Sequence, residues 1–266
     1  MSSARLPTYY LSHGGGPWPW MPEMAPAMQM LTRSLQGIPQ QLPQVPQAIL
    51  MVTAHWEEFH VTVSGSTQPG MVYDYGGFPA HTYEVVYPAP GAVDRIERVK
   101  TLLESAGQSL AIDPTRGYDH GSFVPLAVMY PQAQVPVLQM SLKRGLNPAE
   151  HLAIGRSLAP LRDEGVLIVA SGLSFHNLRA FGPPAKQVSK VFDDWLQATL
   201  AASPAERSAQ LLQWESAPAA RQCHPREEHL IPLMVAVGAA EQGDATCIYH
   251  EEDFFGGITA SSFRFQ

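Results

Sequence analysis

Ala48-Ile49-Leu50-Met51-Val52-Thr53 runs straight into Ala54-His55-Trp56, and Val166-Leu167-Ile168-Val169-Ala170 runs into Ser171-Gly172-Leu173-Ser174-Phe175-His176-Asn177. Each stretch opens with a continuous apolar run, the pattern of a strand covered on both faces. A third and shorter run, residues 8–11, leads into Ser12-His13-Gly14-Gly15-Gly16-Pro17. Three predicted strands thus end close to a histidine. In an open α/β sheet the loops beyond the carboxyl ends of the strands form the ligand crevice. If these strands run parallel, the three imidazoles meet at one rim.

Residues 135–140 give another covered strand, and residues 60–64 alternate as an edge strand does. Between the strands lie segments with helical spacing: 92–106, 147–161, 187–201 and 225–240. The last opens with Pro225 and two glutamates, as a first helical turn does. Residues 39–47 are rich in Pro and Gln and are expected to form a surface loop. Strands alternating with helices predict an α/β fold. We expect one domain over residues 1–266, with a mainly parallel or mixed sheet and helices on both faces.

Composition narrows the function. A formal net charge of −7, with only 17 Lys and Arg in 266 residues, argues against a nucleic-acid partner. No apolar run reaches the ~18 residues of a membrane span, and residues 1–8 lack the layout of a secretory signal. With only two cysteines, Cys223 and Cys247, a disulfide framework is not expected. A cytoplasmic protein fits these features, and self-association into a homo-oligomer is left open.

The chemistry rests on histidine. His13, His55 and His176 follow strands, His120 sits in the turn Tyr118-Asp119-His120-Gly121, and His224 and His229 flank the start of the last predicted helix. Neutral imidazole is a borderline donor that suits Fe, Zn and Cu. There is no CxxC pair for a thiolate zinc site, and no HExxH. On a helix, positions five apart are rotated by about 140°, so His224 and His229 are not expected to face one ion. A lone strand-end histidine is more often a hydrogen-bonded core or surface residue. Three in one chain shift the balance towards a site. His60, His81, His151 and His250 are expected to be structural or exposed, with His81 in a loop that could line a pocket. The aromatics Trp18, Trp20, Trp56, Tyr75, Phe78 and Phe175 lie near these motifs and could pack on a flat substrate. Arg116, Lys143, Arg144 and Arg226 are the candidates for pairing with a substrate carboxylate.

Taken in order, Ser12-His13-Gly14-Gly15-Gly16-Pro17, Thr53-Ala54-His55-Trp56, Tyr73-Asp74-Tyr75-Gly76-Gly77-Phe78-Pro79, Tyr118-Asp119-His120-Gly121, Ser171-Gly172-Leu173-Ser174-Phe175-His176-Asn177-Leu178 and His224-Pro225-Arg226-Glu227-Glu228-His229 span nearly the whole chain. In that order and spacing they resemble the class III, LigB-type extradiol ring-cleavage dioxygenases, in the branch that includes 4,5-DOPA dioxygenases. The resemblance implies a non-haem Fe(II), with zinc an alternative in the same site. It implies His13, His55 and His229 as metal ligands, with His224, Glu227 and Glu228 as alternatives for the third. It also implies His176 as acid/base and His120 as a group contacting substrate or oxygen. Trp18, Tyr75, Phe78 and His224 are then expected to bind or flank a catechol-type substrate, which O2 would cleave. Two other readings are open at this point: a zinc hydrolase on the same cluster, and a non-catalytic metal- or ligand-binding relative.

Overall fold

A computed structural model describes residues 4–266. Its strands are β1 (Thr8–Ser12), β2 (Ala48–Glu58), β3 (Val61–Ser64), β4 (Leu110–Asp113), β5 (Val137–Lys143), β6 (Val166–Gly172), β7 (Ala245–Phe254) and β8 (Ile258–Phe265). Its helices are α1 (Gln29–Gly37), α2 (Ile96–Ser105), α3 (His120–Met129), α4 (Pro148–Leu158), α5 (Lys186–Ala201), α6 (Pro204–Leu212), α7 (Ala220–Cys223) and α8 (Pro232–Ala239). All eight strands form one sheet in the order β4-β3-β5-β2-β6-β1-β8-β7.

The four central strands, β5, β2, β6 and β1, run parallel. Every residue of β1 and β6 is buried, which is why their sequences are continuous apolar runs without alternation. β8 joins β1 antiparallel, and β3 joins β5 antiparallel. The crossovers β1-α1-β2 and β5-α4-β6 run in opposite directions along the sheet, so right-handed connections place α1 and α4 on opposite faces. α8 packs across β6 and β1 with α4 against it, while α3 packs on β2 beside α1. The α4–α8 contact is close because both helices present glycine: a Cβ on Gly155 would fall on the Val235 carbonyl, and one on Gly238 on the Leu152 carbonyl.

The register positions the site. Thr53 pairs with Ser171 in the β2–β6 ladder, and Ser12 pairs with Gly172 in the β1–β6 ladder. Three neighbouring strands therefore carry His13, His55 and the His176 loop at one level.

Two expectations need correction. β3 is not an edge: it lies between β4 and β5, and β4 takes the edge. The last helix does not begin at residue 225. Residues 225–231 form turns and α8 starts at Pro232, whose fixed φ suits the first helical position. Among the described residues, no helix is long and apolar enough to cross a membrane.

Candidate metal centre and active site

Five histidines gather at the carboxyl rim of β1, β2 and β6. His13 follows β1 directly. Its position is set by Trp18, whose indole N–H donates to the His13 carbonyl at 2.9 Å. The chain turns beneath that indole at Gly14, φ +82°, where a Cβ would overlap the ring. His55 lies within β2, which extends past the apolar run to Glu58. Gly121 makes room for it, since a Cβ there would come 2.7 Å from the His55 ring. His120 opens α3, capped by the Asp119 side chain, which accepts from the Ser122 N–H. His176 lies four residues beyond β6. His229 comes from the turns before α8. Its carbonyl accepts from the Leu173 N–H at 3.2 Å and the Tyr10 hydroxyl at 2.8 Å. Gly172 permits that approach, because a Cβ there would strike the same carbonyl.

The imidazoles converge through Nε2. The His55 Nε2 is 3.3 Å from that of His13 and 3.2 Å from that of His229. In each ring the opposite nitrogen, Nδ1, meets an oxygen. His13 Nδ1 donates at 3.0 Å to the Ser171 hydroxyl, which itself donates to the Gly121 carbonyl. His55 Nδ1 donates to Asp74 at 3.1 Å, and His229 Nδ1 to Glu228 at 3.0 Å. These partners fix the tautomer: the proton sits on Nδ1 and the Nε2 lone pairs face one another.

Two carboxylates each hold a pair of histidines. Asp74 accepts from His55 and, at 2.7 Å, from His120 Nδ1. Glu228 accepts from His229 and, at 3.0 Å, from His176 Nδ1. The His176 and His229 rings stack with centroids 3.3 Å apart. Burial raises the proton affinity of both carboxyls, but it is outweighed at Asp74 by His120 and His55, and at Glu228 by His176 together with a backbone N–H and Arg226, so each is held below the ordinary range. Burial, reinforced by the neighbouring imidazoles, pushes His13 and His229 well below the usual histidine value. Burial also lowers His120 against the pull of Asp74. At His55 burial is likewise the largest influence, yet Asp74, Asp119 and Glu228 together overcome it and raise that imidazole. The centre therefore combines imidazoles at His13, His120 and His229 that burial favours as neutral donors with ionised carboxylates behind them, and the carboxylates favour positive charge in the middle.

This donor set fits a metal ion. Nitrogens about 2.0–2.1 Å from one ion, at tetrahedral or octahedral angles, lie about 2.9–3.4 Å apart, and the 3.2–3.3 Å separations match. Two three-residue groups have ligand atoms close enough to hold an ion: His13, His55 and His120, and His176, Glu228 and His229. The two groups meet where the His55 Nε2 of the first lies 3.2 Å from the His229 Nε2 of the second.

Beside the histidines opens a cavity of about 760 Å³. Tyr75 and Phe78 line it. Trp18 does not; it is buried under the Gly14 turn. Nor do Trp20, Trp56 and Phe175. His224 is also outside. It is fully buried, its Nε2 donates to the Ser174 carbonyl at 2.9 Å, and burial lowers its pKa to about 4. The expectation that it contacts substrate or replaces His229 is thereby corrected: it braces the loop that carries His176. Of the four candidate cations only Arg226 reaches the cavity. Arg116 is held by Asp119 at 2.7 Å, Lys143 by Glu150 at 2.7 Å, and Arg144 lies over the Phe59 ring. His60, His81, His151 and His250 bond elsewhere, to Ser109, the Trp20 carbonyl, the Asn147 carbonyl and Asp193. Sequence reading missed Asp74 as a functional residue, although it stands in a quoted motif, and treated Glu228 only as a rival ligand.

Residues 7–266 match the family model of the catalytic LigB subunit of aromatic ring-opening dioxygenase. The chain belongs to the LigB family. It is 35% identical to the Dioxygenase tasH of Hapsidospora irregularis, over 92% of this chain and 82% of that one. It is also 35% identical to the 4,5-DOPA dioxygenase extradiol of Beta vulgaris, over 97% and 96%. The crystal structure of an uncharacterized Escherichia coli K12 protein superposes with a TM-score of 0.79 at 30% identity, covering 98% of this chain and 100% of that one. This LigB-family chain is an extradiol-type aromatic ring-opening dioxygenase, dependent on a non-haem metal and acting on a small aromatic substrate with O2.

Proposed function

We propose that His13, His55 and His229 hold a non-haem Fe(II), and that the adjoining cavity receives a catechol whose ring is opened beside its paired hydroxyls. The observation that carries this reading is that the His55 Nε2 lies 3.3 Å from that of His13 and 3.2 Å from that of His229, while all three Nδ1 atoms are committed to oxygen partners. His229 is chosen over His120 as third ligand because its Nε2 lies within 3.2 Å of His55 Nε2. His120 also lies close to His13 and His55, so the two assignments are separated by metal content in His120→Ala and His229→Ala. Only the second should lose the ion.

When bound, the ion supplies a Lewis acid that acidifies a catechol hydroxyl and a redox centre for O2 chemistry. Both oxygen atoms end in the ring-opened product, a semialdehyde acid, so no outside reductant is consumed. The remaining work falls to the protein. His176 keeps its Nδ1 proton on Glu228, and its Nε2 has no partner among the described residues. That nitrogen takes the proton of the second hydroxyl, and the Glu228 charge stabilises the imidazolium until the proton is returned. His120, tied through Nδ1 to Asp74, likewise presents Nε2. It donates to a substrate or oxygen atom only after first accepting a proton. Tyr75 stands edge-on to His120, ring centroids 5.8 Å apart, and walls one side of the cavity.

We also assign the enzyme to the cytoplasm, where two free thiols, Cys223 and Cys247, would stay reduced. Anaerobic loading with Fe(II), then O2 uptake and a yellow ring-opened product with catechols, is the expected result. Stoichiometric zinc with O2-independent turnover would overturn the assignment.

A further inference from the structure

The cavity is far larger than one catechol ring, and the histidines and carboxylates make only part of its wall. Met24, Phe78, Leu178, Phe181 and Phe255 line it with apolar surface. Phe255 occupies the tip of the β7–β8 hairpin with φ +50°, a left-handed conformation that is strained for a bulky side chain. Its ring packs on Phe254 at 4.4 Å and Phe181 at 5.7 Å. It also covers Gly15, where a Cβ would stand 3.1 Å away. Strain of this kind persists where the surroundings hold it, and here it aims an aromatic ring at a functional cavity.

The charge of the lining is mostly negative. The lining includes three carboxylates, Glu57, Asp74 and Glu228, against one strong cation, Arg226. That guanidinium is engaged as a fork by both Glu57 oxygens at 2.5 and 2.6 Å, and also lies 3.4 Å from Glu228. A substrate carboxylate entering here would have to displace Glu57 from Arg226 and would face Glu228. An apolar group meets aromatic and aliphatic walls already in place.

We propose that the site selects catechols bearing a bulky uncharged apolar substituent, an aryl group in particular, over catechols bearing a carboxylate, and that Phe255 is a specificity-determining residue that contacts the substituent. The proposal rests on the ring-cleavage reading above. Burying an added ring removes apolar surface from water, so selection of about tenfold or more is expected.

The test compares 4-phenylcatechol, DOPA, 3,4-dihydroxyphenylacetate and catechol. Anaerobic binding to the Fe(II) enzyme is measured by calorimetry, and turnover by O2 uptake. 4-Phenylcatechol should bind at least about tenfold more tightly than either carboxylate and have the highest kcat/KM, mainly through KM. Phe255→Ala should lower kcat/KM for 4-phenylcatechol about tenfold more than for catechol. Leu178→Lys, at an exposed rim position, should shift the preference towards the carboxylates, a gain that a merely damaged hairpin would not produce. Equal or tighter binding of DOPA or dihydroxyphenylacetate to the unaltered enzyme would overturn the proposal. Selective binding of 4-phenylcatechol with no O2 uptake from any catechol would instead overturn the ring-cleavage reading and leave the selectivity standing.

Discussion

At the scale of single residues, the site depends on which nitrogen of each imidazole carries the proton. Asp74 decides this for His55 and His120 together, accepting from both rings and from the His120 backbone N–H at 3.0 Å. Asn at this position has one acceptor oxygen and cannot serve both rings. Asp74→Asn should therefore weaken metal affinity about 10–100-fold, the usual effect of losing a ligand's hydrogen-bond partner. Metal titration with unchanged far-UV circular dichroism is the check. His176 is different: it touches the cavity but is not assigned to the ion. His176→Ala should lower kcat by about 10²–10⁴ while metal content stays stoichiometric. Loss of metal in that variant would move His176 into the ligand set. Asp74 could be quoted from the sequence but its role could not be seen, because it lies 46 residues from the histidine it holds most tightly.

At the scale of elements, β6 does most to organise the rim. Its last residue, Gly172, gives the His229 turn its seat. Gly172→Ala should push that turn away and reduce metal affinity by a similar 10–100-fold, about the penalty of disturbing a ligand's support, with little change in far-UV signal. Retained affinity would show that the turn yields freely. The covered strands were legible because both faces are buried and the apolar runs are unbroken. β7 and β8 were not. Glu251, Glu252 and Asp253 break up the one, which lies at the sheet edge, and buried Ser261 and Ser262 interrupt the other. α3 was missed because nearly all of it is buried, so no polar face marks a helical period, and it holds Gly121 and Pro125. The misplaced start of α8 has a similar origin: the acidic pair after Pro225 imitates a first turn, while Glu227 and Glu228 bond to Arg221 and to the histidines.

For the whole molecule, buried neutral histidines set a direction for acid stability. The unfolded chain protonates His224 near its ordinary value of 6.5, while the folded chain does so only at about 4. Between those values the unfolded state binds more protons, so stability is full above pH 6.5 and is lost as pH falls towards 4. For this one group the loss amounts to about 3 kcal/mol, and His13 and His229 add to it in the same direction. Denaturant titrations from pH 7 to pH 4 should show this decline, and His224→Gln should flatten it. An unaltered slope would remove His224 from the account.

The strand order has a consequence in time. β1, β6 and β2 are neighbours in the sheet but are made far apart along the chain, and the turn carrying His229 seats on β6 only after both exist. With His229 as the proposed third ligand, a nascent polypeptide emerging from the ribosome owns no complete cage until residue 229 has been added, whereas the His13, His55 and His120 set would be complete much earlier. On the proposed assignment capture of the ion comes late in assembly, and a chain truncated before residue 229 should sequester none.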